Sequence, residues 1–181
     1  MKMMIEWKET LAAPLKGFRL PRYQEIPAVG LYLEQTTNYI TKLLAPLQEN
    51  CITGSMISNY VKKRLISSPE KKQYSREQIA YLIFITVAKN VLSLDNLKQF
   101  IQIQRETYSS QKAYDYFCDE LENILFFVFG LKDRVEAVGQ DSSDEKFMLR
   151  NAIIAVAHKL YLEKCFQVMR TEAICEKGET V

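Results

Sequence analysis

A chain of 181 residues, 48% apolar and 25% charged, holds enough hydrophobic material for one large domain and too much to stay disordered. Six glycines and five prolines are too few for the many turns of a sandwich or a barrel, so the composition points to an all-α fold. The net charge of +2 hides an asymmetry: residues 51–105 hold nine Lys/Arg against three Asp/Glu, and residues 106–181 hold nine against fourteen. A basic middle beside an acidic end is the pattern expected of a polyanion partner.

The opening MKMMIEWKET lacks the apolar run and small-residue cleavage site of an export signal. The oily stretches IAYLIF and ILFFVFGL are too short to span a bilayer. Cys51, Cys118, Cys165 and Cys175 show no paired metal-ligand spacing. The expectation is a cytoplasmic protein with reduced thiols, no membrane attachment, no metal and no cofactor.

In chain order, residues 1–28 read as an irregular lead-in containing the proline-marked GFRLPRYQEIPAVG. Tyr32, Tyr39, Ile40, Leu43, Leu44 and Leu47 then recur at helical spacing, until Pro46 and the polar QEN end that helix. Thr53 can cap a short second helix that turns Ile57 and Val61 inward. Ser55, Ser58, Asn59, Lys62 and Lys63 are left on its other faces. ISSPEKKQ is loop by composition and carries Lys71 and Lys72. Ser75 with Gln78 makes a capping box that opens an apolar helix through Ile79, Leu82, Ile83, Thr86 and Val87. Arg76 sits in its first turn, where a cation opposes the helix dipole, a placement that points to a partner.

Ser93 caps the next helix, with Leu94, Leu97 and Ile101 inward. The polar connector RETYSSQ is the one internal boundary, dividing residues 29–105 from 106–181. Beyond it, Tyr114, Phe117, Cys118, Leu121, Ile124, Leu125 and Val128 form an amphipathic stripe. Gly130 and Gly139 punctuate a short segment, and Ser142 with Glu145 can open a long final helix. That helix is apolar on more than one side, which makes it either central to the core or part of an oligomer interface. An isologous homodimer through the C-terminal helices is the expectation.

Two helices followed by a basic loop are the ingredients of a helix-turn-helix reader. Helix 53–64 would enter the major groove, with Thr53, Ser55, Ser58 and Asn59 toward phosphates and base edges. Lys62, Lys63, Lys71, Lys72 and Arg76 would neutralise the backbone. Tyr60 and Tyr74 would pack their rings inward with hydroxyls toward phosphate. The same unit can instead dock on a protein, so a helical protein-interaction or adaptor module is the alternative.

His158, the single histidine, reads as a core or interface residue. With no glycine-rich phosphate loop, H-E-x-x-H or CxxC motif, an enzyme is not expected. The aromatic residues Tyr108, Tyr114, Tyr116, Phe117, Phe126, Phe127 and Phe129 read as core rather than as an effector pocket, and the sequence names no effector.

MISNYVKKRLI and KQYSREQIAYLIFITVAKNVLSLDNLKQFI, within residues 56–101, resemble the winged helix of MerR-type transcription regulators. Ile57, Tyr60, Leu65, Ile66, Tyr74, Ile79, Leu82, Leu94, Leu97 and Lys98 stand at matching places. Ser58 stands where arginine is usual, and Arg64 where a glycine precedes the Leu pair. RLPRYQEIPAVGLYLEQ followed by YVKKRLISSPEKKQYSREQIAYLI is similar to a bacterial family catalogued as domain of unknown function 1836, from about Phe18 to at least Ile101. The resemblances imply a MerR-like winged helix-turn-helix, with a short β wing allowed, followed by a helical C-terminal dimerisation region. The implied activity is sequence-specific transcription regulation on double-stranded DNA.

Overall fold

The computed structural model describes residues 2–47, 52–139 and 143–178, without the side chains of 2–6 and 172–178. Among them are seven α-helices and one two-stranded antiparallel sheet, an all-α architecture with a minimal β element. Helix α1 (Lys2–Ala12) runs into a 3-10 turn (Ala13–Leu15), and an arm with a second 3-10 turn (Tyr23–Glu25) leads to β1 (Leu31–Tyr32). Then come α2 (Leu33–Leu44), α3 (Gly54–Lys62), β2 (Gln73–Tyr74), α4 (Arg76–Ala88), α5 (Leu94–Thr107), α6 (Ser110–Val128) and α7 (Asp144–Gly178).

The lead-in expected to be irregular therefore begins as a helix. Leu11, Ala12, Leu15, Phe18 and Leu20 are all buried, and α1 packs against α7. A helix this short draws its stability from that packing rather than from its own sequence.

Helix α4 is the centre of the molecule. Every residue from Gln78 to Ala88 is buried, which requires apolar side chains on all sides of the helix. The Thr86 hydroxyl, near its C-terminal end, donates to the Leu82 carbonyl (2.6 Å). Helices α2, α6 and α7 pack around it. Fully buried side chains such as Leu82, Ile83 and Ile85 each contribute about 1.5–3 kcal/mol. The central place that was one option for the last helix thus belongs to α4. Helix α7 buries Leu149, Ile153, Val156, Ala157 and Leu160, and leaves Phe147, Ile154, Leu162 and Phe166 exposed on its far side. His158 lies exposed among those outer residues, not in the core.

The segment RETYSSQ makes a tight turn between two helices. Helix α5 ends at Thr107 and α6 starts at Ser110, with the Ser109 hydroxyl capping α6 by accepting from the Lys112 amide (3.3 Å). One hydrophobic cluster extends from Leu11 to Leu160, so residues on both sides of the turn share a core. Ser142, expected to open the last helix, lies outside the described residues. The neighbouring Ser143 accepts from the Lys146 amide (3.4 Å).

Cys118 is fully buried, its Sγ 3.8 Å from the Pro21 carbonyl. Burial pushes its thiol up to about 12, so the reactive thiolate is scarce at ordinary pH. Iodoacetamide is expected to leave Cys118 unmodified in the folded protein and to alkylate it readily in urea, as read by peptide mass mapping.

Candidate nucleic-acid interface

The basic unit is assembled on the β1–β2 ladder, where Leu31 lies opposite Tyr74 and Tyr32 opposite Gln73. The two strands approach so closely that a Cβ on Gly30 would fall 2.8 Å from the Gln73 Cβ. Only glycine fits there without a shift.

Thr53 caps α3 as its position predicts: its hydroxyl accepts from the Met56 amide (3.3 Å) and lies 2.9 Å from the Ser55 hydroxyl. The Ser58 hydroxyl donates back to the Gly54 carbonyl (2.9 Å). Ile57 and Tyr60 are buried, whereas Thr53, Ser55, Ser58, Asn59, Lys62 and Lys63 are exposed. The Tyr60 and Tyr74 rings are both in the core, and burial raises both phenols above their ordinary value.

Helix α3 ends in a pair of reversed hydrogen bonds. The Leu65 amide donates to the Tyr60 carbonyl (3.0 Å) and the Arg64 amide to the Val61 carbonyl (2.9 Å). This closure needs a left-handed residue at the turn, normally glycine. Helix α6 uses the same closure with Gly130 at φ 73°, while α3 uses Arg64 at φ 59°. Arg64→Gly is therefore expected to raise unfolding stability by about 0.5–1 kcal/mol, seen as a higher urea midpoint at unchanged slope.

After the buried Leu65 and Ile66, the chain makes a tight hairpin. Glu70 bridges Gln73, whose amide donates to the Glu70 carbonyl (2.8 Å). The two residues between them, Lys71 and Lys72, stand at φ 48° and 65°. Positive φ at both central positions is the type I′ turn, which ordinarily selects Asn-Gly. Here two exposed lysines occupy it.

Gln78 fixes this hairpin at its base. Its Oε1 accepts from the Ser75 amide (2.8 Å) while the Ser75 hydroxyl accepts from the Gln78 amide (3.3 Å), the capping box expected from the sequence. Its Nε2 reaches back to the Ser67 carbonyl (2.9 Å), the Ser67 hydroxyl (3.1 Å) and the Ser68 carbonyl (3.3 Å). Arg64 and Lys71 are each three residues from an anchored serine, hence within about 11 Å of it. Among the described residues, Lys62, Lys63, Arg64, Lys71 and Lys72 have no ion-pair partner.

Arg76 is placed differently from its basic neighbours. Its guanidinium donates to the Ile26 carbonyl (2.9 Å), the Gln24 side chain (2.6 Å) and the Gln24 carbonyl (3.2 Å), with the Tyr23 ring 5.8 Å away. A cation in the first turn of α4 is explained by this hold on the N-terminal arm, and it leaves Arg76 little to offer a partner. Arg22, which the sequence did not single out, secures the same arm to α6. It bonds Glu122 (2.7 and 2.9 Å), Asp119 (2.7 Å) and the Leu20 carbonyl (2.9 Å). The bond to Glu122 raises the guanidinium above its ordinary value. No local pattern could reveal a contact spanning 100 residues.

Residues 21–117, more than half the chain, match the family model described as Domain of unknown function (DUF1836). The chain belongs to the DUF1836 family. No curated protein and no solved structure matches it. The DUF1836 region runs from the arm through the whole basic unit, α4 and α5 into α6. Helix α1, most of α6 and α7 lie outside it. Among the described residues, no group of three or more His, Cys, Asp or Glu could hold a metal, and no helix is long and apolar enough to cross a membrane.

Proposed function

We propose that this DUF1836 protein is a cytoplasmic, sequence-specific DNA-binding transcription regulator whose basic unit works as a MerR-like winged helix-turn-helix. Helix α3 enters the major groove with Ser55, Ser58 and Asn59 toward base edges, and the hairpin lays Lys71 and Lys72 against the backbone. The observation that carries this reading is where the backbone strain sits. Arg64, Lys71 and Lys72 are the positive-φ residues other than glycine among those described, and all three are exposed cations. Left-handed backbone at residues with a Cβ costs about 1 kcal/mol or more each and concentrates at functional sites.

The test is a fluorescence-anisotropy titration of duplexes enriched from the host genome by the protein itself. Between about 50 and 200 mM salt, affinity falls with a log–log slope of about −0.9 per phosphate neutralised. Salt-insensitive binding, or none to any enriched duplex, overturns the proposal.

The regulator acts as a homodimer through α7. Phe147, Ile154, Leu162, Phe166 and Met169 are exposed by 37–69% and fall within one helical stripe opposite the buried face. An apolar stripe on one long helix is self-complementary about a two-fold axis, which suits a palindromic operator with half-sites about 34–36 Å apart. Leu162→Asp removes nothing from the core and is expected to shift the light-scattering mass from two chains to one.

One observation favours protein docking as a second reading. Val29, two residues before β1, and Tyr32, within it, are 75% and 52% exposed. If they are the contact, Val29→Glu abolishes capture of a protein partner and leaves DNA titrations unchanged.

A further inference from the structure

Four of the seven C-terminal aromatics that read as core, Tyr108, Tyr114, Tyr116 and Phe117, line a cavity of about 610 Å³ between α4, α5, α6 and the start of α7. That volume falls in the range of small-molecule sites. One wall is apolar: Phe84 stacks edge-on against Phe117 (5.4 Å between ring centres) and tilts against Phe100 (5.5 Å). The lining also carries uncharged polar groups. The Tyr81 hydroxyl donates to the Gln104 side-chain carbonyl (2.9 Å) and lies 3.3 Å from the Ser110 hydroxyl, which donates to Glu77. Gln104 in turn donates to the Tyr108 carbonyl (3.0 Å). A side-chain amide holds two donor hydrogens and two acceptor lone pairs, so these two bonds use half of what Gln104 can offer.

The charged side chains of the lining are committed within the protein. Asp115 accepts from the Tyr23 amide (2.7 Å), and Asp119 pairs with Arg22 (2.7 Å), so both carboxylates hold the N-terminal arm. Glu145 receives the Thr107 hydroxyl (3.4 Å) and is partly exposed to water. Lys112 Nζ lies 5.0 Å from the centre of the Tyr108 ring, and Lys146 Nζ 4.8 Å from that of Tyr116. Three carboxylates against two ammoniums give an anion no surplus of positive charge. A cation finds two of the three carboxylates already bonded to the arm. An ion of either sign would therefore give up its hydration without a matching charge to replace it.

We propose that the cavity binds an uncharged, largely aromatic molecule, its rings against Phe84, Phe100 and Phe117 and one hydroxyl, carbonyl or amide group bonded to Gln104. Hydrophobic burial supplies the affinity, and the amide fixes the orientation. The site stands whether or not the basic unit binds DNA.

Four naphthalenes substituted at the same ring carbon test it by calorimetry: naphthol and methylnaphthalene, both neutral, the anion naphthalenesulfonate and the cation naphthylmethylammonium. Naphthol is expected to bind at one per chain, and each ion about tenfold or more weaker. Ala113→Trp, which fills the cavity from α6, is expected to abolish binding of naphthol. Gln104 is partly exposed, so Gln104→Leu should fold even if Ala113→Trp does not, with circular dichroism checking both. It is expected to weaken naphthol about threefold or more and leave methylnaphthalene, which has no hydroxyl, unchanged. Either ion binding as tightly as naphthol, or naphthol binding unchanged in folded Ala113→Trp or in Gln104→Leu, overturns the assignment. Leu162→Asp is the control for binding on the α7 stripe: it should keep naphthol binding, and a loss there counts against the cavity.

Discussion

Replacing Lys62, Lys63, Lys71 and Lys72 together by alanine is expected to flatten the salt dependence of DNA binding by up to about 3.6 in log–log slope, 0.9 for each phosphate no longer neutralised. Affinity should fall on operator and random duplex alike, because backbone contacts carry no sequence information. The fold should be untouched, since all four side chains are exposed and have no ion-pair partner among the described residues. Asn59→Ala should behave differently, losing about 1–3 kcal/mol of discrimination at one or two base pairs with little change in slope. If the quadruple variant keeps its slope, the basic face is only a solvated surface.

A companion variant separates charge from geometry. Lys71→Asn with Lys72→Gly installs the residues that the type I′ turn favours. It is expected to raise stability by about 1 kcal/mol while removing as much as about 1.8 from the slope. Opposite signs in the two measurements are what a hairpin kept for its lysines predicts. A gain in both would mean that the lysines are placed there for neither purpose.

The second large effect is expected at Gln78. Gln78→Ala removes the Oε1 half of the capping box and three hydrogen bonds to Ser67 and Ser68, and keeps the backbone amide that donates to the Ser75 hydroxyl. The Ser67 and Ser68 side of the loop reaches solvent, so water replaces part of what is removed, and the net cost should be about 1–3 kcal/mol in urea unfolding. DNA affinity should fall further than this stability loss explains, because the loop that holds Arg64 on one side and the hairpin on the other is released from α4. Amide exchange at residues 67–74 reports the release directly. Unchanged exchange there would show that Leu65 and Ile66 anchor the loop alone.

What could be read from the sequence was whatever depends on near neighbours. The caps at Thr53, Ser75 and Ser93 were legible because a short polar side chain three residues before an amide has one common use. The separation of Ile57 from Asn59 and Lys62 followed from helical periodicity. The loop at Lys71 and Lys72 was legible by composition, but its type I′ geometry was not, because Lys-Lys carries no turn preference and only the surrounding ladder forces it to positive φ. The hold of Arg76 on the arm was hidden for a related reason: Gln24 and Ile26 lie some fifty residues away. Helix α1 was missed because its apolar residues find their complement in α7, at the other end of the chain. The cavity was hidden by the same spacing that marks ordinary core. Periodicity tells which face of a helix turns inward, not whether the inward faces of four helices meet.

The pairing of α1 with α7 has a consequence during synthesis. About 140 residues separate the buried Leu11 of α1 from the buried face of α7, and a ribosome adding about 5–20 residues per second needs roughly 7–28 seconds to cover that distance. Helix α1 thus leaves the exit tunnel ahead of α2 to α7 and is among the last to dock. The DUF1836 segment can collapse around α4 while α1 waits with its oily side uncovered, a natural point of engagement for a chaperone.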